Sequence, residues 1–301
     1  MGQVASAINP TTQQFSTPYL TADEYRNAPT AIDIDNLVFN STDPDVQNSE
    51  LVNVIARASS WVDTYCNQVL GATEETETQR SRIRGDGTIR FHPRYSPIIA
   101  LTNIEYGNYP NSLITASDPS VCWLENSEVI FPYASLNNVF TSQGPIAFGF
   151  PSGQGTEVFL KYTYINGYAN TITATPETAG DTSILVASGK GITVGQELKI
   201  YDGMYSETVR VASTYTFGST TVPLEYALAY NHGAGVSISA LPPSVKEATI
   251  LATTAMLKIR GDNSLVMGVG TLPSQGIAGN QNIGDDMAMA MDLLKPFRRI
   301  R

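Results

Sequence analysis

The sequence predicts an α+β protein with a helical core, β-hairpins built onto it, an inserted all-β unit and long extended termini. Three observations carry that expectation. From Asp43 to Gly71, Leu51, Val54, Ile55, Ala58, Trp61, Val62, Tyr65 and Val69 recur at helical spacing, while Glu50, Asn53, Arg57, Ser60, Asp63 and Asn67 fall mostly on the other face. Far along the chain, Val245, Ala248, Leu251, Ala252, Ala255, Met256 and Ile259 form a second stripe on small residues that permit close packing. Between them, Thr171 to Ala240 is dominated by Thr, Ser, Val and Gly and carries no helical period. Each helix must bury its stripe, so the two are expected to meet.

Met1 to Pro18 is polar and aperiodic, an arm expected to order only against a neighbour. Thr21-Ala22-Asp23-Glu24 spells a capping box, starting a short helix that Pro29 ends. Ala31 to Asn40 connects to the long helix. Asp43 is placed to cap that helix, Pro44 suits its first turn, and Gly71 is placed to end it. Thr76 to Ile83 alternates as a strand, turns at Asp86-Gly87 and returns through Thr88 to His92. Ile98 to Tyr106 is a further strand. Val121 to Glu125 and Val129 to Pro132 form a hairpin turning at Asn126-Ser127. Gly144 to Gly155 is loop, and Glu157 to Tyr164 alternates again. In the inserted unit, Thr182 to Ala187, Glu197 to Tyr201, Glu207 to Ala212, Thr220 to Leu224 and Gly235 to Ser239 read as short strands. Consecutive hairpins would make them a barrel or sandwich. Pro242-Pro243 opens the second helix and Gly261 closes it. Asp262 to Asp286 is Gly-rich, Met287 to Leu294 a short helix, and the end is basic.

The 301 residues suffice for two modest domains or one with a large insertion. Charged residues make up only 15%, against about a quarter usually, a texture common in β-rich proteins of permanent assemblies. A net charge of -10 argues against broad wrapping of DNA. Cys66 and Cys122 lack a CxxC or a nearby His, so no structural zinc is expected and two reduced thiols are. The first residues lack a charged and then apolar stretch, and no run is long enough to span a bilayer. Neither the usual secretion route nor membrane integration is expected.

Several segments follow one another in a familiar order: Tyr19-Leu20-Thr21, Ala58 to Cys66, Pro97-Ile98-Ile99-Ala100-Leu101-Thr102, Tyr162-Thr163-Tyr164 with Asn166-Gly167-Tyr168, and Leu241-Pro242-Pro243-Ser244-Val245-Lys246-Glu247-Ala248. The series resembles the head–tail connector (adaptor, head-completion) proteins of tailed bacteriophages, over about Tyr19 to Asp262 without the insertion. The resemblance implies a helical bundle core with a small β-element. The domain plan is then an arm at 1–18, a connector core at 19–170 plus 241–261, an inserted β-domain at 171–240 and a C-terminal arm at 262–301. It also implies a homo-oligomeric ring, commonly of twelve copies, docked beneath the portal. Such a ring lengthens the DNA channel and offers a platform to a tail-side neck or tail-terminator protein. Location in the virion neck, after assembly in the host cytoplasm, goes with it. Family members are usually shorter and lack the insertion.

The candidate residues follow from this reading. Trp61, Tyr65, Val245, Leu251 and Met256 are expected to form the packing between the two helices. Arg80, Arg82, Arg84, Arg90 and Arg94 concentrate five of the 18 basic residues in one short stretch. They suit pairing with Glu74, Glu75 and Glu77, a contact with a neighbouring subunit, or a basic rim facing the acidic surface of a portal or in transient, non-specific contact with channel DNA, and the subunit contact is favoured. Lys295, Phe297, Arg298, Arg299, Ile300 and Arg301 combine an aromatic anchor with guanidinium groups, a composition suited to docking on a portal or adjacent subunit. The twenty-five residues from Asp262 to Asp286 would reach about 25–30 Å at flexible-chain scaling.

His92 and His232 fall in different units, so neither a catalytic triad nor a metal site is expected, and no cofactor is. Asp33, Asp35, Asp43 and Asp45 lack the interleaved Gly and terminal Glu of a calcium loop. Arg84-Gly85-Asp86 and Arg260-Gly261-Asp262 read as a turn and a helix stop rather than adhesion signals. The competing expectation is a carbohydrate- or receptor-binding fibre or baseplate module, suggested by Tyr201, Tyr205, Tyr215, Tyr226 and Tyr230 in the β-rich insertion.

Overall fold

The computed structural model describes residues 17–30, 32–35, 37–38, 41–115, 119–125, 128–132, 157–261 and 286–299, with side chains left out at 259–261. Residues 1–16 of the expected arm at 1–18, the turn at Asn126-Ser127, the loop at Gly144 to Gly155, and residues 262–285, Ile300 and Arg301 of the arm at 262–301 lie outside the described residues. The chain divides into two compact units, one taking in Ala72–Gly167 and the other Phe15–Gly71 with Tyr168–Arg301.

The helical bundle core expected from the sequence is overturned. Among the described residues the structure is mostly strands in four antiparallel sheets and is 28% helical. The reason lies in Ala72–Gly167, which builds an apolar core of its own. There β1 (Thr73–Arg82), β2 (Ile89–Phe91), β3 (Ile98–Tyr109), β4 (Ser112–Thr115), β5 (Trp123–Glu125), β6 (Glu128–Phe131) and β7 (Glu157–Asn166) form two sheets, ordered β1-β7-β3-β4 and β2-β6-β5. β7 alternates between the two faces, burying Val158, Leu160, Tyr162 and Tyr164 with Ile89, Phe91, Ile104 and Phe131. Its partner β1 looks too polar for a strand, yet it pairs from Thr73↔Asn166 to Arg82↔Glu157. The Asp86-Gly87 turn forms as expected. Gly87 adopts φ 75°, where a side chain would be strained, and the Asp86 carboxylate accepts from the Thr88 N–H at 2.9 Å.

In the second unit the capping box closes α1 (Ala22–Arg26): Thr21 Oγ1 accepts from the Glu24 N–H and Glu24 accepts in return from the Thr21 N–H. The long helix α2 (Pro44–Cys66) starts under Asp43, whose carboxylate accepts from the Asp45 N–H at 3.0 Å. It ends earlier than Gly71. Asn67 takes the left-handed position at φ 56°, a role an Asn tolerates better than other side chains, and Gly71 instead bridges to Tyr168.

The α2 stripe meets the second helix, α3 (Pro243–Gly261), as its period requires. Val62 and Cys66 share a cluster with Val245, Ala248 and Leu241, against which Trp61, Tyr65 and Leu251 pack half-buried. Leu51, Val54 and Ile55 form an adjoining cluster with Leu257, and Met256 packs against it. Thr249 and Thr253 sit fully buried on α3 because their hydroxyls donate to the carbonyls four residues back.

The stretch after Tyr168 holds β8 (Asn170–Ile172), β9 (Ser183–Leu185), β10 (Glu197–Tyr201), β11 (Glu207–Arg210), β12 (Thr221–Pro223) and β13 (Ser237–Ser239). Their sheets, ordered β11-β10-β13-β8 and β12-β9, cover a core of Ile184, Leu198, Ile200, Val209, Val222 and Ile238. Only β10–β11 is a hairpin of consecutive strands, where the sequence suggested hairpins throughout. The stretch leaves and re-enters at one point, since the Ala240 N–H donates to the Ala169 carbonyl at 2.8 Å.

Candidate functional site

The residues that looked functional in the sequence fall mainly in two places, and the structure adds a third. The first is the end of α2. Here the C-terminal segment, helical over 286–294 and then a short turn at Lys295–Phe297, lies against the same chain. Ala290 and Leu294 are buried in the cluster that holds Val62 and Val245, and Phe297 packs on it half-buried. The Gln68 side-chain amide donates to the Phe297 carbonyl at 3.1 Å, and the Arg299 N–H donates to the Cys66 carbonyl at 2.9 Å. That second bond caps a carbonyl left free at the helix end. Arg298 stands over the Tyr65 ring at 5.5 Å, and Lys295 pairs with Asp292 at 2.6 Å on the surface. Lys258 and Asp286 tie the segment to α3 at 2.6 Å. Phe297, Arg298, Trp61 and Tyr65, kept apart by more than two hundred residues, therefore share one surface.

Beneath that surface, Tyr19 donates its hydroxyl hydrogen to the Asp63 carboxylate and accepts from the Leu70 and Gly71 N–H groups. Burial pushes the Asp63 carboxyl up to about 7, against the hydrogen bonds from Tyr19 and Leu70 that favour its charged form. The same burial, with Asp63 nearby, raises the Cys66 thiol to about 12, so Cys66 is an unreactive core residue. Asp63 makes stability depend on pH. Its folded value lies above the unfolded value near 3.8, so its contribution is fully present below about pH 4 and is lost as pH rises through about 7. Urea midpoints for wild type and Asp63→Asn should diverge across that interval, with a slope of at most about 1.4 kcal/mol per pH unit. Parallel curves would remove Asp63 as the source.

The second place is the arginine stretch, within the Ala72–Gly167 unit. Arg80 and Arg82 project from the exposed face of β1 and pair with Glu157 at 3.4 and 3.0 Å. Arg80 also lies over Phe159 at 4.8 Å. Arg84 and Arg90 meet at Glu128, at 3.6 and 3.4 Å, with His92 at 3.9 Å from the same carboxylate. Arg94 stands over Tyr95, and its backbone N–H donates to Glu77. The guanidinium groups thus meet Glu157 and Glu128, brought in by strand register, and Arg90 also pairs with Asp86 at 3.6 Å. Besides the Arg94 N–H, Glu77 accepts from the Tyr162 and Tyr164 hydroxyls. Arg80 and Arg82 remain 60% and 71% exposed, which leaves both guanidinium groups accessible to an acidic surface.

The third place was not signalled by any motif. Lys246 on α3 is 4% exposed, and its ammonium donates to both Glu24 oxygens at 2.8 and 3.0 Å and to Ser237 Oγ at 3.0 Å. All three of its donors are used. The same ammonium lies 3.9 Å from the Tyr201 ring centroid, and Lys199 approaches that ring at 4.8 Å. Burial holds Lys246 below its ordinary value while Glu24 opposes that shift, and burial lifts the Tyr201 phenol to about 12. The pair walls a cavity of about 290 Å³, lined also by Asn27, Ser206, Glu247 and Ile250. A lysine with every N–H committed to a fixed partner is a polar tie between α1, α3 and β13 rather than a nucleophile. In the sequence, Glu24 carried only the signal of a capping residue.

Of the five tyrosines noted in the insertion, Tyr215 is buried and Tyr201 is held by the two lysines, while Tyr205, Tyr226 and Tyr230 are 54%, 71% and 43% exposed. No helix among the described residues is long and apolar enough to cross a membrane. A scan against protein-family models finds no match to this chain, and no curated protein matches it.

Proposed function

We propose that this chain is a structural, non-enzymatic subunit of a tailed-bacteriophage neck, a head–tail connector that forms a ring under the portal and carries the tail-side neck protein. The observation that supports the reading is the convergence of separated segments. Tyr19, the Trp61 to Cys66 turn of α2, Tyr168 and the Leu241 to Ala248 start of α3 belong to the series that resembles connectors, and they pack in one cluster. The low charge content and the exposed Arg80 and Arg82 suit a surface used against other subunits. The helical bundle is no part of this reading; two packed helices inside a β-rich protein are. In the proposed neck, the basic tail reaches the portal by exchanging its contacts at Tyr65, Cys66 and Gln68 for contacts there.

A fibre or baseplate module is the second reading, favoured by the exposed Tyr205, Tyr226 and Tyr230. Electron microscopy of the purified protein separates the two. A closed ring with a wide bore is expected, and a monomer or trimer would replace the connector with the fibre module. For the tail, deletion of Lys295 to Arg301 should leave a folded protein by circular dichroism that no longer co-sediments with filled, connector-deficient heads. Wild-type co-sedimentation would move portal attachment to the Arg80 to Arg94 face.

A further inference from the structure

The His232 side chain is fully enclosed, at 0% exposed, and nothing in the neck reading uses it. Its Nδ1 lies 2.9 Å from Asp202 Oδ2 and its Nε2 lies 2.9 Å from Glu207 Oε1. An ionised carboxylate only accepts hydrogen bonds, and a neutral imidazole has one N–H to give. Two carboxylates at hydrogen-bond distance therefore ask for a hydrogen on each ring nitrogen. The remaining contacts reinforce that demand. Glu207 Oε1 also accepts from the Tyr230 N–H at 3.1 Å, and Oε2 accepts from the Ala229 N–H at 3.0 Å. Burial alone would raise the Glu207 carboxyl, but those two N–H groups and the His232 ring outweigh it and hold it below its ordinary value. Asp202 and Glu207 are the charged groups that face the ring from the β10–β11 connection. On its other side the His232 backbone pairs both ways with the backbone of Glu177, at 3.0 and 2.8 Å, while the Glu177 carboxylate is turned to Thr175 and the Leu185 N–H.

We propose that His232 is a charge-dependent pin, an imidazolium shared by Asp202 and Glu207 that fastens the 202–207 turn to the 229–232 loop and holds the exposed Tyr205–Tyr230 pair together. Beyond the two bonds that Glu207 itself accepts from the Ala229 and Tyr230 N–H groups, the turn's hydrogen bonds are local. Ser206 Oγ accepts from the Asp202 N–H and donates to the Gly203 carbonyl, both bonds inside the turn itself. Met204 is 91% exposed at its tip, and the two tyrosine rings, one from each fastened segment, stand 5.7 Å apart. A ring with hydrogen on one nitrogen alone would leave a lone pair facing a carboxylate and two acidic groups near each other without a cation between them. The turn would then open and the aromatic pair disperse. Acid opens the pin once Glu207 takes up a proton.

The chain has two histidines, and His92 is 67% exposed, so selective nitrogen-15 labelling of histidine gives one pinned ring and one solvent-exposed reference. At neutral pH the full-length protein should show hydrogen on both nitrogens of His232. A ring carrying hydrogen on a single nitrogen overturns the proposal without any variant. The second measurement is amide hydrogen exchange at Ala229 and Tyr230. His232→Gln, which cannot serve both carboxylates, should speed exchange there by about ten- to a hundredfold, the effect of losing one charge-assisted hydrogen bond. Equal protection in wild type and variant would make His232 a packing residue and end the idea.

Discussion

Replacing Glu24 by Ala should destabilise the unit that contains it by about 3–5 kcal/mol, the cost of leaving a buried charge without its partner. Lys246 is the charge concerned. It is 4% exposed, and two of its three donors end on Glu24, which is itself 10% exposed. Loss of the capping box, in which Glu24 accepts from the Thr21 N–H, adds up to about 1 kcal/mol. The cost of the unpaired lysine can be separated from the cost of the lost cap. Glu24→Met with Lys246→Met removes both charges and fills the space with apolar side chains. Replacing a buried pair in this way is often neutral, so the double variant should lie within about 2 kcal/mol of the wild type. Urea unfolding of the wild type, the two single variants and the double variant gives the coupling directly. Losses that simply add would mean that the pair is not a unit and that Lys246 reaches solvent when Glu24 is gone.

Trp61→Ala should cost about 3 kcal/mol, the lower end of the range for large aromatic side chains because Trp61 is half-buried. The ring stacks on Tyr65 at 5.8 Å and packs on the cluster that joins α2 to Val245 and Ala248 of α3. The same cluster receives Leu294 and Phe297, so the C-terminal segment should loosen as well. Chemical denaturation measures the first effect, and hydrogen exchange at the Arg299 amide, which is bonded to the Cys66 carbonyl, measures the second. A loss below about 1 kcal/mol would place Trp61 outside the contact between the helices.

Local chemistry was readable in advance wherever it acts over a few residues. Thr21 and Glu24 are three positions apart, and their capping box forms as spelled. Asp43 and Pro44 begin α2, Asp86-Gly87 turns, and the helical stripes around Val62 and Val245 meet, because an amphipathic helix has no stable alternative to burying its apolar face. The end of α2 was misplaced by several residues. Asn67 adopts the left-handed conformation expected of Gly71, and nothing next to it in the sequence says so.

The larger error, a helical bundle, came from the resemblance and from extending the two readable helices into a whole core. The strands of Ala72–Gly167 carry polar outer faces, so their inner residues look sparse when read along the chain. They become a core only when β7 is paired between β1 and β3 and the alternate residues of each strand stack together.

What the amino-acid sequence by itself determined is therefore its helices, caps and turns, and the meeting of α2 with α3, since propensity and periodicity act within one element or one apolar face. Only the tertiary structure decided where the charges go. Arg82 faces Glu157 because of strand register. Glu24 meets Lys246, and His232 sits between Asp202 and Glu207, because separate segments converge on one buried point. A charge acts through space, with a strength set by distance and burial, and neither quantity is written in residue spacing.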